Sequence, residues 1–563
     1  MMGWFSRRKR YRGHELNPDE IFLDSSNLPD FDRSRLEGRL EKPLGDGSYL
    51  GLMLGAAALF LILVGKAVAV GLIGGEAYAA QSERNRLRPE IVFAERGALT
   101  DRNGVVLAAN VAGEDGFPVR EYRSPGFGHV LGYVSYPKKD SSGNYYETEI
   151  TGQAGAELAF EERLAGKNGT LLIEENALGD VQSQGSVMPA QNGETIALSI
   201  DARVQEAMHT AISSLADQIP YKGGSGVMMD VETGEVIALV SYPEYDPNIL
   251  SRGSPADVIA SYQNNPREPY LDRAVSGLYT PGSIVKPLIA AGIYNDGIID
   301  PETIIVSTGA ISVPNPYDPS NPTIFRDWKA LGPMNMRSAV AYSSDVYFYT
   351  VGGGFGGQRG LGIERLKYWY DAFGLESITG IELEGENSGF VPTPAWKEET
   401  YNEPWRIGNT YHTSIGQYAM QITPLEAVRA IAAVANDGKL LRPTILAGGP
   451  VEGESIAIDR EGLRIAREGM RMGVTEGTSV GLNPLSYVKA AGKTGTAQLG
   501  ANNEYYNTWM VGFFPYDKPK YAFAVVMERG PAGTTLGGVY VMSQVFTKMR
   551  ETAPEYFGLP PNE

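Results

Sequence analysis

The chain has 563 residues, 42% of them hydrophobic, with a formal net charge of −18, four histidines and no cysteine. This length predicts two or more folded units, and the acidic surplus argues against a nucleic-acid partner because phosphate binding needs concentrated lysine and arginine. The absence of cysteine excludes disulfides and thiolate nucleophiles. The four histidines lack the paired spacing of a metal site, so neither a metal nor another cofactor is expected.

The first 70 residues combine a basic cluster with a long apolar run. Lysine and arginine dominate residues 7–12, a polar stretch follows up to Asp46, and residues 49–65 are almost purely apolar. Roughly 20 apolar residues predict a transmembrane anchor, which we place at 47–70. A cleaved signal peptide fits less well, because the run lies far from the N-terminus and lacks a small-residue cleavage site. The positive-inside rule makes residues 1–46 a cytoplasmic tail and puts the rest outside the cytoplasmic membrane.

Residues 71–193 have a mixed composition and are predicted to form a small non-catalytic domain. The Asp-Arg-Asn-Gly sequence at 101–104 predicts a turn between two strands, because Asn-Gly readily supplies positive φ angles. After Gly193 the pattern changes to a strand and an amphipathic helix with Val204, Met208 and Ile212 on one face. A second domain is therefore predicted at 194–563.

The domain predicted at 194–563 has strands near both ends and helices between them. Apolar runs joined at 232–234 predict one hairpin, and a turn at 517–519 predicts another. The segments RSAVAYSSDVYFYTV and TPLEAVRAIAAVAN have helical patterns. This order predicts an α+β domain in which one antiparallel sheet is covered by helices.

The segment YTPGSIVKP is the first of three that carry reactive side chains. Pro281 and Gly282 precede an apolar helical run, so Ser283 is predicted in the first helical turn with Lys286 on the same face. A helix N-terminus disfavours positive charge, which helps a buried lysine act as the base for a serine nucleophile. Alone, the motif is more typical of an ordinary helix start with a capping serine and a solvated lysine.

The other two segments are AYSSDVYFY and AAGKTGTAQ. In the first, Ser343 and Asp345 interrupt an apolar stretch, where polar side chains need partners, although a buried serine can also bond to its own helix. In the second, a strand-like run, Gly495 leaves room for another backbone while Lys493 supplies donors, as do Thr494 and Thr496. This run suits an extended peptide with a free carboxylate.

Two glycine-containing segments resemble nucleotide-binding motifs in spelling only. The Gly-Lys-Thr sequence lacks the upstream glycine of a phosphate loop, whose place is taken by Tyr487. The sequence GGGFGG at 352–357 follows a helical stretch instead of a strand and is predicted to be a loop. Neither segment implies a nucleotide.

In chain order the motifs S-x-x-K, S-x-D and K-T-G lie about 60 and 150 residues apart, a set found in serine β-lactamases and penicillin-binding proteins. The chain also resembles class B penicillin-binding proteins in ERGALTDRNGVVLA, GAELAFEERLAGKNG, VETGEVIALVSYPEYDPN, SIGQYAMQITPLEA and WMVGFFP. It is most similar to their elongation branch, penicillin-binding protein 2. The resemblance implies a single N-terminal transmembrane helix, a small pedestal domain and a transpeptidase-like domain with an antiparallel sheet flanked by helices.

The resemblance also implies a function and a set of site residues. The function is cross-linking of D-Ala-D-Ala stem peptides through a serine acyl-enzyme that β-lactams inhibit, in cell elongation and shape maintenance. The implied nucleophile is Ser283, with Lys286 as its base and Ser343 as a proton relay. Backbone N–H groups of Ser283 and Thr496 would form the oxyanion hole. The full implied set is Ser283, Lys286, Ser343, Asp345 and Lys493 for catalysis, and Thr494, Gly495 and Thr496 for binding the substrate carboxylate.

The chain departs from its relatives at three places. Many relatives have Asn where Asp345 stands, and a carboxylate accepts hydrogen bonds but cannot donate them. The pedestal is shortened, because only residues 111–126 separate Asn110 from the segment FGHVLGYV. Some members of the branch hold zinc near the S-x-D helix through Asp, His and Cys, but residues 312–345 contain neither His nor Cys, so no metal is expected. His412 precedes SIGQ, and a structural role is favoured over substrate contact.

Other functions compete with cross-linking. A β-lactamase or carboxypeptidase shares the chemistry but passes the acyl group to water, and the anchor and pedestal argue against both. A catalytically silent scaffold that binds stem peptides and regulates a membrane glycan polymerase is the alternative from another class. A penicillin-sensing receptor would need a larger cytoplasmic domain. The partner implied by the resemblance is a SEDS-family glycan polymerase in the membrane.

Overall fold

The structure, a computed structural model, describes residues 46–73, 75–76, 87–113, 117–143, 145–175, 181–315, 318, 320–500 and 502–560. Its internal contacts divide the chain into a smaller unit, Met1–Arg88 with Ile173–Ser183, and a larger unit, Pro89–Leu172 with Gln184–Glu563. Except for Asp46, the predicted cytoplasmic tail lies outside the described residues.

The smaller unit contains a long apolar helix. An α-helix at Asp46–Val68 continues as a π-helix at Ala69–Ile73. Among the described residues, only Tyr49–Leu72, a stretch of 24 residues, is helical, long and apolar enough to cross a membrane. At about 1.5 Å per residue this stretch is roughly 36 Å long, which exceeds the ~30 Å hydrocarbon core of a bilayer. The helix therefore fits the anchor predicted at 47–70.

The first part of the larger unit, up to residue 198, is built from short strands. Strand Val106–Ala112 pairs antiparallel with Leu99–Thr100 and Pro118–Tyr122. The predicted turn at 101–104 is confirmed, since the Asp101 carboxylate accepts the N–H of residue 103 and Gly104 has a φ of 84°. The other elements of this part are strands Val134–Ser135, Lys138–Lys139, Tyr145–Glu147, Thr151–Gly152 and Ile196–Ala197, and helices Gly128–Leu131, Gly155–Ala159 and Glu161–Leu164. Strands Leu87–Val92, Gly169–Glu175 and Val181–Met188 each include residues assigned to both units.

Four charged side chains form what we call the pedestal charge cluster, of which the first three are buried and the last is partly exposed: Arg96, Arg120, Glu157 and Glu161. Glu157 accepts from Arg96 Nε at 2.5 Å and from Arg120 Nε at 2.7 Å, and Glu161 accepts from Arg96 Nη2 at 2.6 Å. The side chains of Arg96, Arg120 and Glu157 are at most 1% exposed. Each buried cation therefore has a carboxylate partner.

The remainder of the larger unit is organised around a five-stranded antiparallel sheet with the order β2-β1-β5-β4-β3. Strands from both ends of the predicted domain meet in this sheet, as expected, and both predicted hairpins are confirmed as β1-β2 and β4-β5. Strand β3 lies at one edge. The strands are β1 (Gly223–Asp230), β2 (Val236–Tyr242), β3 (Ala491–Leu499), β4 (Tyr505–Phe514) and β5 (Tyr521–Pro531).

Helices cover both faces of the sheet. The principal ones are α1 (Ala202–Gln218), α2 (Lys286–Asn295), α3 (Met336–Ala341), α4 (Asp345–Gly353), α5 (Pro424–Ala435), α6 (Arg460–Thr475) and α7 (Gly538–Thr552). Helices α1 and α7 pack on one face and α5 packs on the other. The predicted apolar face of α1, with Val204, Met208 and Ile212, is fully buried. Helix α6 contacts α2, which begins at Lys286, α3, which ends just before the S-x-D segment, and β3, which carries the K-T-G motif.

Shorter elements complete this part of the chain. The helices are Pro247–Arg252, Ala256–Asn264, Ile363–Ala372, Pro394–Tyr401 and Ile407–Ser414, with 3-10 turns at Gly282–Val285, Val480–Leu482 and Pro554–Phe557. The strands are Ile305–Ser307, Ala310–Val313, Thr323–Arg326, Gly332–Met334, Lys439–Leu441 and Gly453–Ser455.

The segment RSAVAYSSDVYFYTV differs from the prediction of a continuous helical pattern. Helix α3 ends at Ala341 and α4 begins at Asp345, with Ser343 between them at a φ of 62°. Ser344 caps α4 by accepting the N–H of Tyr347 at 3.2 Å. The chain breaks here because serine competes for backbone donors and favours a cap over a helix interior. The predicted loop at 352–357 is confirmed from residue 354, where α4 has ended.

Candidate active site

Ser283 lies in a 3-10 turn, Gly282–Val285, that leads directly into α2. Residues three apart eclipse in a 3-10 helix, so Ser283 and Lys286 share one side. Gly282 adopts a φ of 56°, and its N–H donates to the Gly416 carbonyl at 2.8 Å. Ser283 is half-buried, and its hydroxyl has no hydrogen-bond partner among the described residues. The hydroxyl is therefore free to meet a substrate.

The Lys286 amine is fully buried and points at the S-x-D segment. Its Nζ donates to the Asp345 carboxylate at 2.6 Å, to the Ser343 carbonyl at 2.8 Å and to Ser343 Oγ at 3.2 Å. The amine also lies 5.5 Å from the centre of the Phe348 ring. The structure thus brings Lys286, Ser343 and Asp345 into direct contact, although 57 residues separate Lys286 from Ser343.

Strand β3 brings the K-T-G motif against the Ser283 turn. A Cβ added to Gly495 would lie 2.6 Å from the Pro281 carbonyl oxygen, so only glycine permits this approach. Trp509 on the neighbouring strand donates its indole N–H to the Thr280 carbonyl at 3.0 Å. Thr496 is exposed and borders Gly282. The outer edge of β3 is unpaired within the sheet, which is the arrangement that an extended peptide can join.

Lys493 is a second buried amine at this site. Its Nζ donates to the Thr494 carbonyl at 2.8 Å, and its exposure is only 1%. Burial lowers the pKa of Lys493 well below its usual range, and the nearby Lys286 charge lowers it further while Asp345 opposes both. Two lysines here share one carboxylate, so the site is short of negative charge. A substrate carboxylate would supply the missing anion.

Several residues of the site were not predicted from the sequence. Thr478 Oγ1 lies 2.7 Å from Thr494 Oγ1, and Gln417 donates its side-chain amide to the Thr496 carbonyl at 3.3 Å. Asp327 accepts hydrogen bonds from the start of α4. Thr478 and Asp327 carry no local sequence signal. Gln417 lies in the family-like segment SIGQYAMQITPLEA, which does not by itself indicate the contact with Thr496.

His412 packs against aromatic side chains. The His412 ring lies 5.5 Å from the Phe325 ring and 6.3 Å from the Tyr349 ring, centre to centre. Burial lowers its pKa, and the Asp345 charge partly opposes that shift. The structural role favoured for His412 stays a prediction. Among the described residues, no three His, Asp or Glu side chains come together as a metal site.

Family comparisons agree with this architecture. Residues 224–548 match the penicillin binding protein transpeptidase domain, and residues 117–198 match the penicillin-binding protein dimerisation domain. The first match contains the Ser283 turn, the S-x-D break and strand β3. The second covers much of the region predicted as a pedestal. Fold and site together define a penicillin-binding protein with a C-terminal transpeptidase domain.

Known relatives narrow the family. Peptidoglycan D,D-transpeptidase MrdA of Escherichia coli is 31% identical over 475 residues, which cover 75% of this chain and 72% of the relative. Penicillin-binding protein 2 of Pseudomonas aeruginosa has a TM-score of 0.68 at 29% identity, over 82% of this chain and 96% of that one. A chain from a peptidoglycan synthase complex has a TM-score of 0.71 at 26% identity, over 92% of this chain and 100% of that one. The chain belongs to the class B penicillin-binding proteins, in the penicillin-binding protein 2 branch.

Proposed function

We propose that the chain is a peptidoglycan D,D-transpeptidase that cross-links stem peptides during cell elongation, with Ser283 as its nucleophile. The observation that carries this proposal is the fully buried Lys286 amine, one 3-10 turn from Ser283 and bonded to both Ser343 and Asp345. A buried lysine beside a half-exposed serine is the pairing that a serine nucleophile needs when no histidine serves as base.

The first half of the proposed reaction forms an acyl-enzyme. Ser283 Oγ attacks the carbonyl carbon between the two D-alanines and passes its proton to the neutral form of Lys286. The N–H groups of Ser283 and Thr496 stabilise the resulting oxyanion, a contribution of ~10²–10³-fold for each donor. The C–N bond then breaks, and the terminal D-alanine leaves with a proton relayed through Ser343. General acid-base help of this kind contributes ~10²–10⁴-fold.

The second half resolves the acyl-enzyme with an amine from a neighbouring stem. The amine attacks the ester carbonyl and loses a proton, and Ser283 regains its own. Lys493, Thr494 and Thr496 hold the substrate carboxylate along β3, while Gly495 keeps the strand close to the nucleophile. The hydrogen bonding of the buried Lys493 amine supports this assignment, because its described acceptor is a backbone carbonyl and a bound carboxylate would stabilise its protonated form.

A fluorescent penicillin tests the nucleophile. The β-lactam amide opens without a leaving group, so intact mass should rise by the full mass of the drug. Ser283→Ala should lose this adduct while keeping the thermal unfolding midpoint, and Ser283→Cys is a useful size-matched companion. Labelling that survives in Ser283→Ala would disprove the assignment. An unlabelled, folded wild-type protein would instead favour the silent scaffold.

The proposed location is the cytoplasmic membrane, with the N-terminus inside. The apolar helix Tyr49–Leu72 supports a single span, and the basic residues at 7–12 support the orientation. On this basis we divide the chain into a tail at 1–46, an anchor at 47–70, a shortened pedestal at 71–193 and a transpeptidase domain at 194–563. A protease added outside intact spheroplasts should digest the C-terminal domain and spare an epitope tag at the N-terminus.

The proposed partner is a SEDS-family glycan polymerase in the same membrane. Similarity over 92% of this chain to a member of a peptidoglycan synthase complex supports a partner that makes the glycan strands to be cross-linked. Co-purification from detergent, with and without residues 47–70 replaced by an unrelated transmembrane segment, tests whether the anchor contributes to this association.

A further inference from the structure

Asp327 is a buried carboxylate outside the three motifs, between strands Thr323–Arg326 and Gly332–Met334. It is 8% exposed, and its own N–H donates to the Gly309 carbonyl at 2.9 Å. That bond anchors the Asp327 backbone, and hydrogen bonds to the carboxylate hold the side chain. It points at the break between α3 and α4.

Five donors converge on the two oxygens of this carboxylate. Three belong to the start of α4 and two come from outside it. They are Ser344 Oγ at 2.8 Å, Asp345 N at 3.1 Å, Val346 N at 3.1 Å, Ser307 Oγ at 2.9 Å and Trp328 N at 3.0 Å. The first N–H groups of a helix have no partner within it, so an anion from elsewhere in the fold caps α4 here.

Trp328, the residue after Asp327, contacts the other side of the break between α3 and α4. The Trp328 indole N–H donates to the Tyr342 carbonyl at 3.1 Å. Ser343 stands between these two attachments at a φ of 62°, a backbone conformation that non-glycine residues keep only when their surroundings impose it. The carbonyl and hydroxyl of Ser343 both accept from Lys286, so the break sets where the amine can point.

We propose that Asp327 is a positioning residue for the acylation step, because its carboxylate fixes the α3-α4 break that orients Ser343 and Asp345 around Lys286. Asp327 does not touch the reacting atoms. It acts through the backbone of residues 344–346, and the proposal rests on the function assigned above to Ser283 and Lys286.

A purely structural carboxylate would contribute to stability without affecting the acylation rate constant, and the chain offers a matched control of that kind. Glu426 is another fully buried carboxylate, and its oxygens accept backbone N–H groups of Glu376, Gly389 and Thr423 at 2.8 to 2.9 Å. Losing either carboxylate leaves buried donors unpaired and lowers stability. Of these two carboxylates, Asp327 is the one that accepts N–H groups of the helix that carries Asp345.

The experiment compares Asp327→Asn, Glu426→Gln and Ser307→Ala with the wild-type chain. Rapid-quench measurements with a fluorescent penicillin give two quantities for each protein, the acylation rate constant and the non-covalent dissociation constant. Asp327→Asn keeps the size of the side chain but turns an amide N–H₂ toward donors. A displacement of about 1 Å in a catalytic arrangement costs on the order of 10²-fold, so we expect that loss in the rate constant with little change in the dissociation constant.

The controls separate the possible outcomes. Glu426→Gln should lower the thermal midpoint and leave the rate constant within about twofold. Ser307→Ala removes one remote support of Asp327 and should cost only a few-fold, which keeps the test open if Asp327→Asn does not fold. If folded Asp327→Asn acylates at the wild-type rate, or if Ser307→Ala has no effect when Asp327→Asn is unfolded, the positioning role is overturned. Failure of the wild-type chain to label would count against the proposed function instead.

Discussion

Two of the places where the molecule buries charged side chains differ in their balance of positive and negative charge. In the pedestal charge cluster two arginines meet two glutamates, and every buried cation has a carboxylate partner. At the candidate active site Lys286 pairs with Asp345, whereas the described partner of the Lys493 amine is a backbone carbonyl. Burial of charge therefore does not by itself mark a functional site. A buried amine without a described carboxylate partner, beside a half-buried serine, is the stronger indication, because it leaves room for an anionic ligand.

The largest effect expected from this comparison is the loss of chemistry on changing Lys286→Met. Methionine keeps the length and apolar stem of the side chain, but it cannot take the Ser283 proton, so the acylation rate constant should fall ~10²–10⁴-fold. Rapid-quench labelling with a fluorescent penicillin measures the fall. Lys367→Met, which removes a lysine paired with Asp371 on an outer helix, should label normally. Wild-type labelling by Lys286→Met would mean that another group is the base.

Changing Glu157→Gln in the pedestal charge cluster should lower stability without slowing acylation. The substitution removes the charge that both Arg96 and Arg120 contact, and breaking a buried ion pair from one side costs about 3–5 kcal/mol. Equilibrium unfolding in urea should show this loss. The acylation rate constant of the protein that remains folded should be unchanged, and a parallel fall in that constant would show that the two clusters are coupled.

At Lys493 one substitution should raise stability and weaken penicillin binding. Burial holds its pKa below the unfolded value, so between the two pKa values the unfolded chain binds more protons and stability rises with pH. Lys493→Met removes the desolvation cost of a buried amine that lacks a described anionic partner, and should therefore stabilise the fold at neutral pH. The same change should weaken non-covalent penicillin binding, because the drug carboxylate loses its cation.

Urea unfolding at pH 7 and pH 9, with binding measured in parallel, checks both statements about Lys493. The stability gain of Lys493→Met over wild type should shrink at the higher pH, where the wild-type lysine has lost more of its charge. A variant that is less stable than wild type at pH 7 would show that the amine contributes to the fold, and the comparison with the pedestal would fail.

Much of this arrangement was visible in the sequence because its signals are local. The hairpins at 232–234 and 517–519, the apolar face of α1 and the edge strand that begins at Ala491 each follow from periodicity and turn chemistry. The association of the three motifs came from their order and from resemblance to a family. Neither motif order nor family resemblance predicts which side chains touch, so the pairing of Lys286 with Asp345 is seen only in the structure.

The parts that were missed depend on distant contacts. The helical pattern on both sides of Ser343 hides the break, because periodicity does not register a single residue at positive φ. Asp327 lies 18 residues before Asp345, to whose N–H it bonds, and Thr478 lies 16 residues before Thr494. An aspartate in a loop and a threonine after a helix are ordinary in any sequence. Only the fold turns them into supports of the site.

The smallest effect is expected at Thr478, where the test is whether one hydrogen bond supports Thr494 in binding the substrate carboxylate. Its hydroxyl lies 2.7 Å from that of Thr494, and its N–H donates to the Ala341 carbonyl at 3.1 Å. Thr478→Val keeps the second bond and the shape but loses the first, which is worth about 0.5–1.5 kcal/mol. If Thr494 binds the substrate carboxylate in a fixed orientation, the dissociation constant for penicillin should rise about 2–10-fold while the acylation rate constant stays constant. Thr478→Ser should restore binding, and an unchanged dissociation constant in Thr478→Val would show that Thr494 needs no such support.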